Sequence, residues 1–151
     1  MTFDDLPLYE AVYDVYRMVD NPRSDAWLRP PMCEKVCRQI QAHLPLDTHF
    51  KVEQMLQVWS AFGKSVTVET DVKKSELIVL VARTHGRRCF YCGRGKGDCS
   101  NEVALDRLLP GSRGGKYTVA NCVIACSFHN QQRQDQSVED YITPSTLPGT
   151  F

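Results

Sequence analysis

Two short pairs of metal-ligand residues, 33 residues apart, constrain this chain more than any other feature of its sequence. The first pair is Cys89 and Cys92 in the run C-F-Y-C, and the second is Cys126 and His129 in the run C-S-F-H. A C-x-x-C turn directs two thiolates toward one tetrahedral ion, and a second short turn closes the shell. The spacing therefore predicts a structural zinc site with these four side chains as ligands.

The remaining cysteines show no comparable pattern. The chain has seven cysteines, an odd number, so free thiols in a reducing, cytoplasmic compartment are the simpler interpretation. Cys33 and Cys37 fall one turn apart on a predicted helix, a spacing that suits ordinary packing better than a second metal site. Cys99 and Cys122 are interpreted as ordinary small residues, with a role as spare ligands as the alternative.

The formal net charge of zero conceals an uneven distribution of charge. Residues 83–133 hold nine basic side chains and three acidic ones, so the rest of the chain carries an equal excess of acids. A basic segment that coincides with the zinc pattern favours nucleic acid as the partner, and an ordinary solvated basic surface is the alternative. The side chains predicted to contact nucleic acid are Arg87, Arg88, Arg94, Lys96, Arg113, Lys116 and Arg133.

The first 85 residues are predicted to be helical. Apolar residues recur at helical spacing in 6–19, 32–44 and 52–62, with Asp47 or Thr48 as the expected cap of the third helix. The apolar stripe around Trp59 is predicted to be core. A fourth helix is predicted over 71–85, although its apolar run could also form a buried strand, and 65–69 could be extended. No apolar run of about 18 residues is present, so no membrane partner is expected.

The pattern changes between the two ligand pairs. Residues 103–110 and 117–124 read as short strands, and the glycine-rich run 111–115 reads as a loop with unusual backbone angles. A helix is expected from Asn130, and Ser137 with Asp140 resembles a capping box that opens another helical turn. The expected order is strand, loop, strand, helix, and residues 144–151 are expected to form an irregular tail.

Residues 86–140 resemble the HNH, or ββα-metal, endonuclease superfamily of the zinc-stapled type. The resemblance rests on C-F-Y-C-G from Cys89, D-R-L-L-P-G-S-R-G-G-K from Asp106, Asn121, and C-S-F-H-N-Q-Q-R from Cys126, in that order. It implies an α+β protein. A helical region of residues 1–85 would serve recognition, dimerisation or docking to a protein partner, and an HNH-like, zinc-bound ββα-metal module would occupy residues 86–143.

The resemblance also implies roles for individual residues. Asp106 and Asn130 would hold one catalytic divalent cation, Mg²⁺ or Mn²⁺, and Asn121 would hold the loop or orient a general base. Arg133 stands where the family usually has a lysine and would contact a phosphate. The implied activity is metal-dependent hydrolysis of phosphodiester bonds in DNA, with RNA as an alternative substrate.

Arg107 departs from the family pattern, which usually has a histidine as general base at this position. A guanidinium stays protonated and cannot take a proton from water. Another side chain such as His85 could act as the base, or water could attack while Arg107 stabilises the phosphate. The remaining alternative is a catalytically silent HNH-like zinc module that binds DNA or a protein partner. His129 in place of a fourth cysteine is a milder departure, because Cys₃His shells are common in structural zinc sites.

Overall fold

The computed structural model describes residues 1–63 and 74–143. In these residues it contains six α-helices and one two-stranded antiparallel sheet, which confirms the predicted α+β class. The chain divides into two compact units between Leu80 and Val81, with Thr2 grouped with the second. This division falls inside the fourth helix, whereas the sequence analysis placed it after residue 85.

The first unit is helical. It contains α1 (Leu6–Tyr16), α2 (Met32–Ala42), α3 (Val52–Phe62) and the first part of α4 (Lys74–His85), with short 3₁₀ turns at Phe3–Asp5 and Asp25–Leu28. Helix α1 packs on both α2 and α3. The apolar stripes of these helices meet in one core, because helical periodicity places their large side chains on a single face.

Trp59 illustrates how this core is built. Its ring lies edge-on to Tyr16 with 4.9 Å between centroids, and its indole N–H donates to the carbonyl of Pro22 at 2.9 Å. Met55, Val58 and Phe62 are buried beside it in the same helix. The predicted core role of the α3 stripe is confirmed, and burial of each large apolar side chain contributes about 1.5–3 kcal/mol.

The ends of the helices differ from the sequence expectation in two places. Helix α1 ends at Tyr16, three residues earlier than predicted. Helix α3 begins after Lys51, whose backbone N–H donates to Gln54 Oε1 at 2.8 Å, so Asp47 and Thr48 are not its caps. The Thr48 carbonyl instead accepts a hydrogen bond from Gln41 Nε2 at 2.7 Å, which keeps Thr48 in the preceding loop.

Helix α4 resolves the ambiguity of its apolar run. Residues 74–85 are helical, so the alternative of a buried strand is wrong for this stretch. The predicted extended segment 65–69 and the predicted beginning of this helix at residue 71 lie outside the described residues, as does the predicted tail 144–151. Across the described ranges, no helix combines the length and apolar character required to span a membrane.

The second unit contains the predicted order of strand, loop, strand and helix. Strands β1 (Val103–Arg107) and β2 (Cys122–Cys126) pair antiparallel, followed by α5 (Ser127–Arg133) and α6 (Val138–Ile142). Strand β2 begins later than expected, because the backbone N–H of Asn121 donates to the Thr118 carbonyl at 3.2 Å and closes a turn there. The predicted cap of α6 is confirmed, since Ser137 Oγ accepts from the Asp140 N–H at 3.0 Å.

Candidate metal centre and adjacent pocket

Cys89, Cys99, Cys126 and His129 form a compact cluster in the second unit. Their ligand atoms all lie within 4.8 Å of one another. A tetrahedral zinc shell has sulfur–nitrogen edges of about 3.6 Å and sulfur–sulfur edges of about 3.8 Å. Cys89 Sγ lies 3.6 Å and Cys99 Sγ 3.8 Å from His129 Nδ1, so the cluster could hold a metal ion such as zinc.

The hydrogen bonding of His129 favours metal coordination. Its ring is fully buried, and Nε2 lies 2.9 Å from the carbonyl oxygen of Lys96. Because a carbonyl only accepts, Nε2 carries the proton and Nδ1 presents a lone pair toward the thiols. This is the tautomer that a metal bound through Nδ1 requires.

Cys126 joins strand β2 to helix α5, and its hydrogen bonds favour the thiolate form. Burial alone would raise the pKa of its thiol, but hydrogen bonds from the backbone of His129 and Ser100 bring the pKa below the usual cysteine value. The His129 N–H lies 3.3 Å from Cys126 Sγ, so the sulfur also caps α5. The thiolate is the form that binds a metal.

The structure differs from the sequence analysis at the fourth ligand, where Cys99 takes the place predicted for Cys92. Cys92 and Cys99 are both exposed, but only Cys99 belongs to the cluster found in the described residues, and the Cys92 backbone N–H closes a turn onto the Cys89 carbonyl at 3.0 Å. The chain then turns back through three glycines with positive φ, at Gly93, Gly95 and Gly97. This path brings the Lys96 carbonyl and Cys99 to His129. The alternating run G-R-G-K-G was the sequence signal for such a return.

Asp106 and Arg133 form a buried ion pair next to the cluster. Arg133 Nη1 donates to Asp106 Oδ1, and the Tyr91 hydroxyl donates to Oδ2 at 2.6 Å. Burial raises the pKa of the Asp106 carboxyl, while the Tyr91 hydrogen bond and the Arg133 charge favour its ionised form. The exposed fractions of Asp106 and Arg133 are 1% and 2%, so the pair is almost entirely buried.

Arg133 is a structural cross-link in this structure. Besides Asp106, its guanidinium donates to the carbonyls of Arg107 and Leu108 at 2.7 Å and of Gln136 at 2.9 Å. These bonds connect β1 to the segment that follows α5. The guanidinium predicted to contact a phosphate is thus buried and bonded to protein acceptors in this structure.

A pocket of about 280 Å³ opens beside the ion pair. Its lining brings together three predicted catalytic residues, Asp106 and Arg107 from β1 and Asn130 from α5. Tyr117 lines the pocket from the loop between the strands, and Asp135 lines it from the segment after α5. The hairpin, α5 and the segment after α5 thus meet at one polar cavity.

Asn121 does not line this pocket and holds the loop instead. Its Oδ1 accepts from the Leu109 N–H at 2.9 Å, and its Nδ2 donates to the carbonyls of Leu109 and Lys116 at 3.2 and 2.9 Å. Gly115 lies against the same loop, where a Cβ would stand 1.6 Å from the Leu109 oxygen. Of the two roles considered for Asn121, these contacts correspond to loop support.

The remaining predicted residues lie away from the pocket. His85 Nε2 lies 2.7 Å from the Val119 carbonyl, to which it donates a hydrogen bond. His85 does not line the pocket in which it was considered as a general base. Lys96 lies over the Tyr141 ring at 4.2 Å, and Arg94 lies over Phe90 at 4.1 Å. The exposed residues of the predicted basic set are Arg87, Arg88, Arg94, Arg113 and Lys116.

Comparison of the chain with protein-family models, curated proteins and solved structures finds no match.

Proposed function

We propose that the second unit is a metal-dependent endonuclease that hydrolyses phosphodiester bonds in DNA. The observation that carries this proposal is the pocket in which Asp106, Arg107 and Asn130 meet. These are three of the four residues to which the HNH resemblance assigns catalytic roles, and their side chains suit a charged phosphodiester. The fourth, Asn121, supports the loop that carries Tyr117.

The Cys₃His cluster fits a structural zinc ion by its dimensions, its donor set and the His129 tautomer. Cys89, Cys99, Cys126 and His129 would hold the ion. Bound zinc would fix the junction of β2 and α5 from which Asn130 reaches the pocket. Because such sites rarely exist in the unfolded chain, zinc binding would also stabilise the fold of this unit.

The pocket also offers oxygen donors for a hard divalent cation. An ionised carboxylate has about four lone-pair sites, and Tyr91 and Arg133 use two of those on Asp106. The half-buried Asn130 supplies an amide oxygen, so Asp106 and Asn130 would hold Mg²⁺ or Mn²⁺. Such a cation, when bound, stabilises charge on the phosphate and the leaving oxygen.

A second candidate function is a catalytically silent module that binds DNA or a protein partner. The burial of Asp106 and its pairing with Arg133 favour this candidate, because the carboxylate is already neutralised by protein. Arg107, which cannot act as a base, favours it as well.

Cleavage assays separate the two candidates. Zinc-loaded protein is incubated with supercoiled plasmid, single-stranded DNA and RNA of matched sequence, in Mg²⁺ or Mn²⁺. The informative variant is Asn130→Ala, and Gln131→Ala, an exposed amide on the same helix outside the pocket lining, is the matched control. We expect DNA cleavage by the parent and the control, and a loss of about 100-fold in Asn130→Ala.

Other results would lead to different conclusions. Salt-sensitive DNA binding without cleavage would reject the endonuclease and support the catalytically silent binding module. Cleavage confined to RNA would change the substrate. Equal cleavage by Asn130→Ala and Gln131→Ala would remove the pocket from the mechanism.

A further inference from the structure

We infer that Arg107 is the phosphate-binding group of the pocket, held in place between the ring of Tyr117 and the backbone of Gly111. These three residues are called the arginine clamp below. The inference rests on the proposed function, because the phosphate is taken to be one of a nucleic-acid backbone. Arg107 stands where the family usually has its histidine base, and binding a phosphate is a role that its guanidinium can perform.

The position of the guanidinium is defined from two sides. Arg107 Cζ lies 4.2 Å from the centroid of the Tyr117 ring, well within the range of about 6 Å for cation–π contact. On the other side, a Cβ added to Gly111 would lie 2.6 Å from Nη1 and 2.8 Å from Cζ and Nη2. The group therefore lies directly against the Gly111 backbone, where a larger residue would displace it.

The N–H groups of the Arg107 side chain are open to a ligand. Throughout 1–63 and 74–143, no hydrogen bond or ion pair of this side chain with protein is seen, and the residue is half-buried in the pocket wall. Its backbone carbonyl accepts from Arg133 at 2.7 Å, which fixes the main chain and leaves the side chain unoccupied. Arg133 and Arg107 thus differ sharply, since one bonds protein and the other faces a cavity.

The chemistry of this arrangement selects a phosphate. A planar guanidinium donates two parallel hydrogen bonds to phosphate oxygens and stays charged at all working pH values. Holding it on Tyr117 and Gly111 reduces the side-chain entropy lost on binding. The charge of Asp106 is offset by Arg133, so Asp135 is the carboxylate in the pocket lining that opposes an anion.

Gly111 permits a test that leaves the charge unchanged. Its φ is outside the left-handed region, so Gly111→Ala is compatible with the backbone and acts by displacing the guanidinium. The assay measures affinity for a fluorescent single-stranded DNA oligonucleotide by anisotropy, at several salt concentrations and without added Mg²⁺ or Mn²⁺. The variants are Arg107→Gln, Gly111→Ala and the double variant, with Arg29→Gln, an exposed arginine of the first unit, as the charge control.

We expect Arg107→Gln to weaken binding about 10-fold and to reduce the salt slope by about one. Gly111→Ala should weaken binding several-fold, and the double variant should bind no more weakly than Arg107→Gln, because Gly111 acts through Arg107. Additive losses in the double variant, or parental affinity and salt slope in Arg107→Gln, would overturn the clamp. Melting temperature and zinc content verify that each variant is folded.

Failure of the clamp and failure of the proposed function give different results. DNA cleavage by the parent with no dependence of binding on Arg107 retains the function and overturns the clamp. Arg107-dependent binding of inorganic phosphate, followed by ³¹P line broadening, without DNA binding retains the clamp and overturns the function. Binding of neither probe by the parent overturns both.

Discussion

The two compact units bury different kinds of side chain. The first unit has an apolar core in which Val12, Ile40 and Met55 are fully buried. The second buries Asp106, His129 and Arg133, whereas Glu10 is the buried charged residue of the first unit within the described ranges. Stability in the first unit follows the apolar area removed from water, whereas the second unit combines apolar burial in both strands with a few buried polar groups that must stay paired.

This difference predicts how each unit tolerates change. An apolar core adjusts to substitutions that conserve volume. A two-stranded sheet with two short helices is marginal without further support, and removal of one partner of a buried polar pair leaves the other unsatisfied. Single polar substitutions should therefore weaken the second unit more than apolar exchanges of similar volume weaken the first.

Arg133→Met is expected to have the largest effect. It leaves the Asp106 carboxylate buried without its charge partner, at a cost of about 3–5 kcal/mol in the free energy of unfolding. Hydrogen exchange of the β2 amides measures the loss. Asp106→Leu combined with Arg133→Met should recover part of it, and a double variant weaker than Arg133→Met would contradict this explanation.

Met55→Ala tests the apolar core of the first unit, with an expected loss of stability similar in size to that of Arg133→Met. Met55 is fully buried, so truncation should destabilise the first unit by about 2–5 kcal/mol, and Met55→Leu by less than about 1.5 kcal/mol. Both tryptophans of the chain, Trp27 and Trp59, belong to the first unit, so their fluorescence follows its unfolding. Equal losses in the two variants would contradict an adaptable core.

Tyr91→Phe removes one hydrogen bond to Asp106 and leaves the ion pair intact. We expect a loss of about 1–3 kcal/mol, because Asp106 Oδ2 loses its buried donor. The exchange of β2 amides is again the measurement. No change in exchange would mean that Arg133 alone satisfies the carboxylate.

Ser137→Ala should have a smaller effect on the second unit. It removes the side-chain cap of α6, which is worth about 1 kcal/mol. Ser137→Asp, which restores an acceptor, should recover the stability, and equal melting of the alanine and aspartate variants would argue against a capping role.

The smallest expected effect concerns the reactivity of the Cys37 thiol in the first unit rather than the stability of the fold. Burial and the neighbouring Cys33 raise the pKa of its thiol to about 11. The thiolate fraction therefore rises about ten-fold per pH unit below that value, and alkylation between about pH 8 and pH 10 should accelerate about 100-fold. Mass spectrometry of the peptide that contains Cys37 follows the reaction, and a rate that levels off near pH 9 would contradict the raised pKa.

The parts of the fold that were predictable from sequence depend on local patterns. The apolar periodicity around Trp59 and the Ser137 cap are set within one or two helical turns, so they could be derived directly. The place of Cys99 in the cluster could not, because it depends on the path of the chain through three glycines with positive φ between Cys92 and Cys99. From the sequence, Cys99 is interpreted as an ordinary small residue, with a role as a spare ligand as the alternative.

The basic side chains show the same limit. Arg133 and Arg107 look alike in sequence, and both could contact a phosphate. Arg133 is bonded to the carboxylate of Asp106, 27 positions earlier in the chain, whereas the Arg107 side chain lines the pocket beside the Tyr117 ring. The spacing of residues in the sequence indicates which side chains lie near the site, but not which acceptors their N–H groups bond.

The most direct test of this account is the zinc content of two cysteine variants. Cys89, Cys99, Cys126 and His129 form the cluster that could hold zinc, and Cys92 is not part of it. We expect one zinc per chain in the parent and in Cys92→Ser, and loss of zinc with faster β2 amide exchange in Cys99→Ser. Retention of zinc by Cys99→Ser together with its loss from Cys92→Ser would contradict the account and restore the C-x-x-C pair as the ligands.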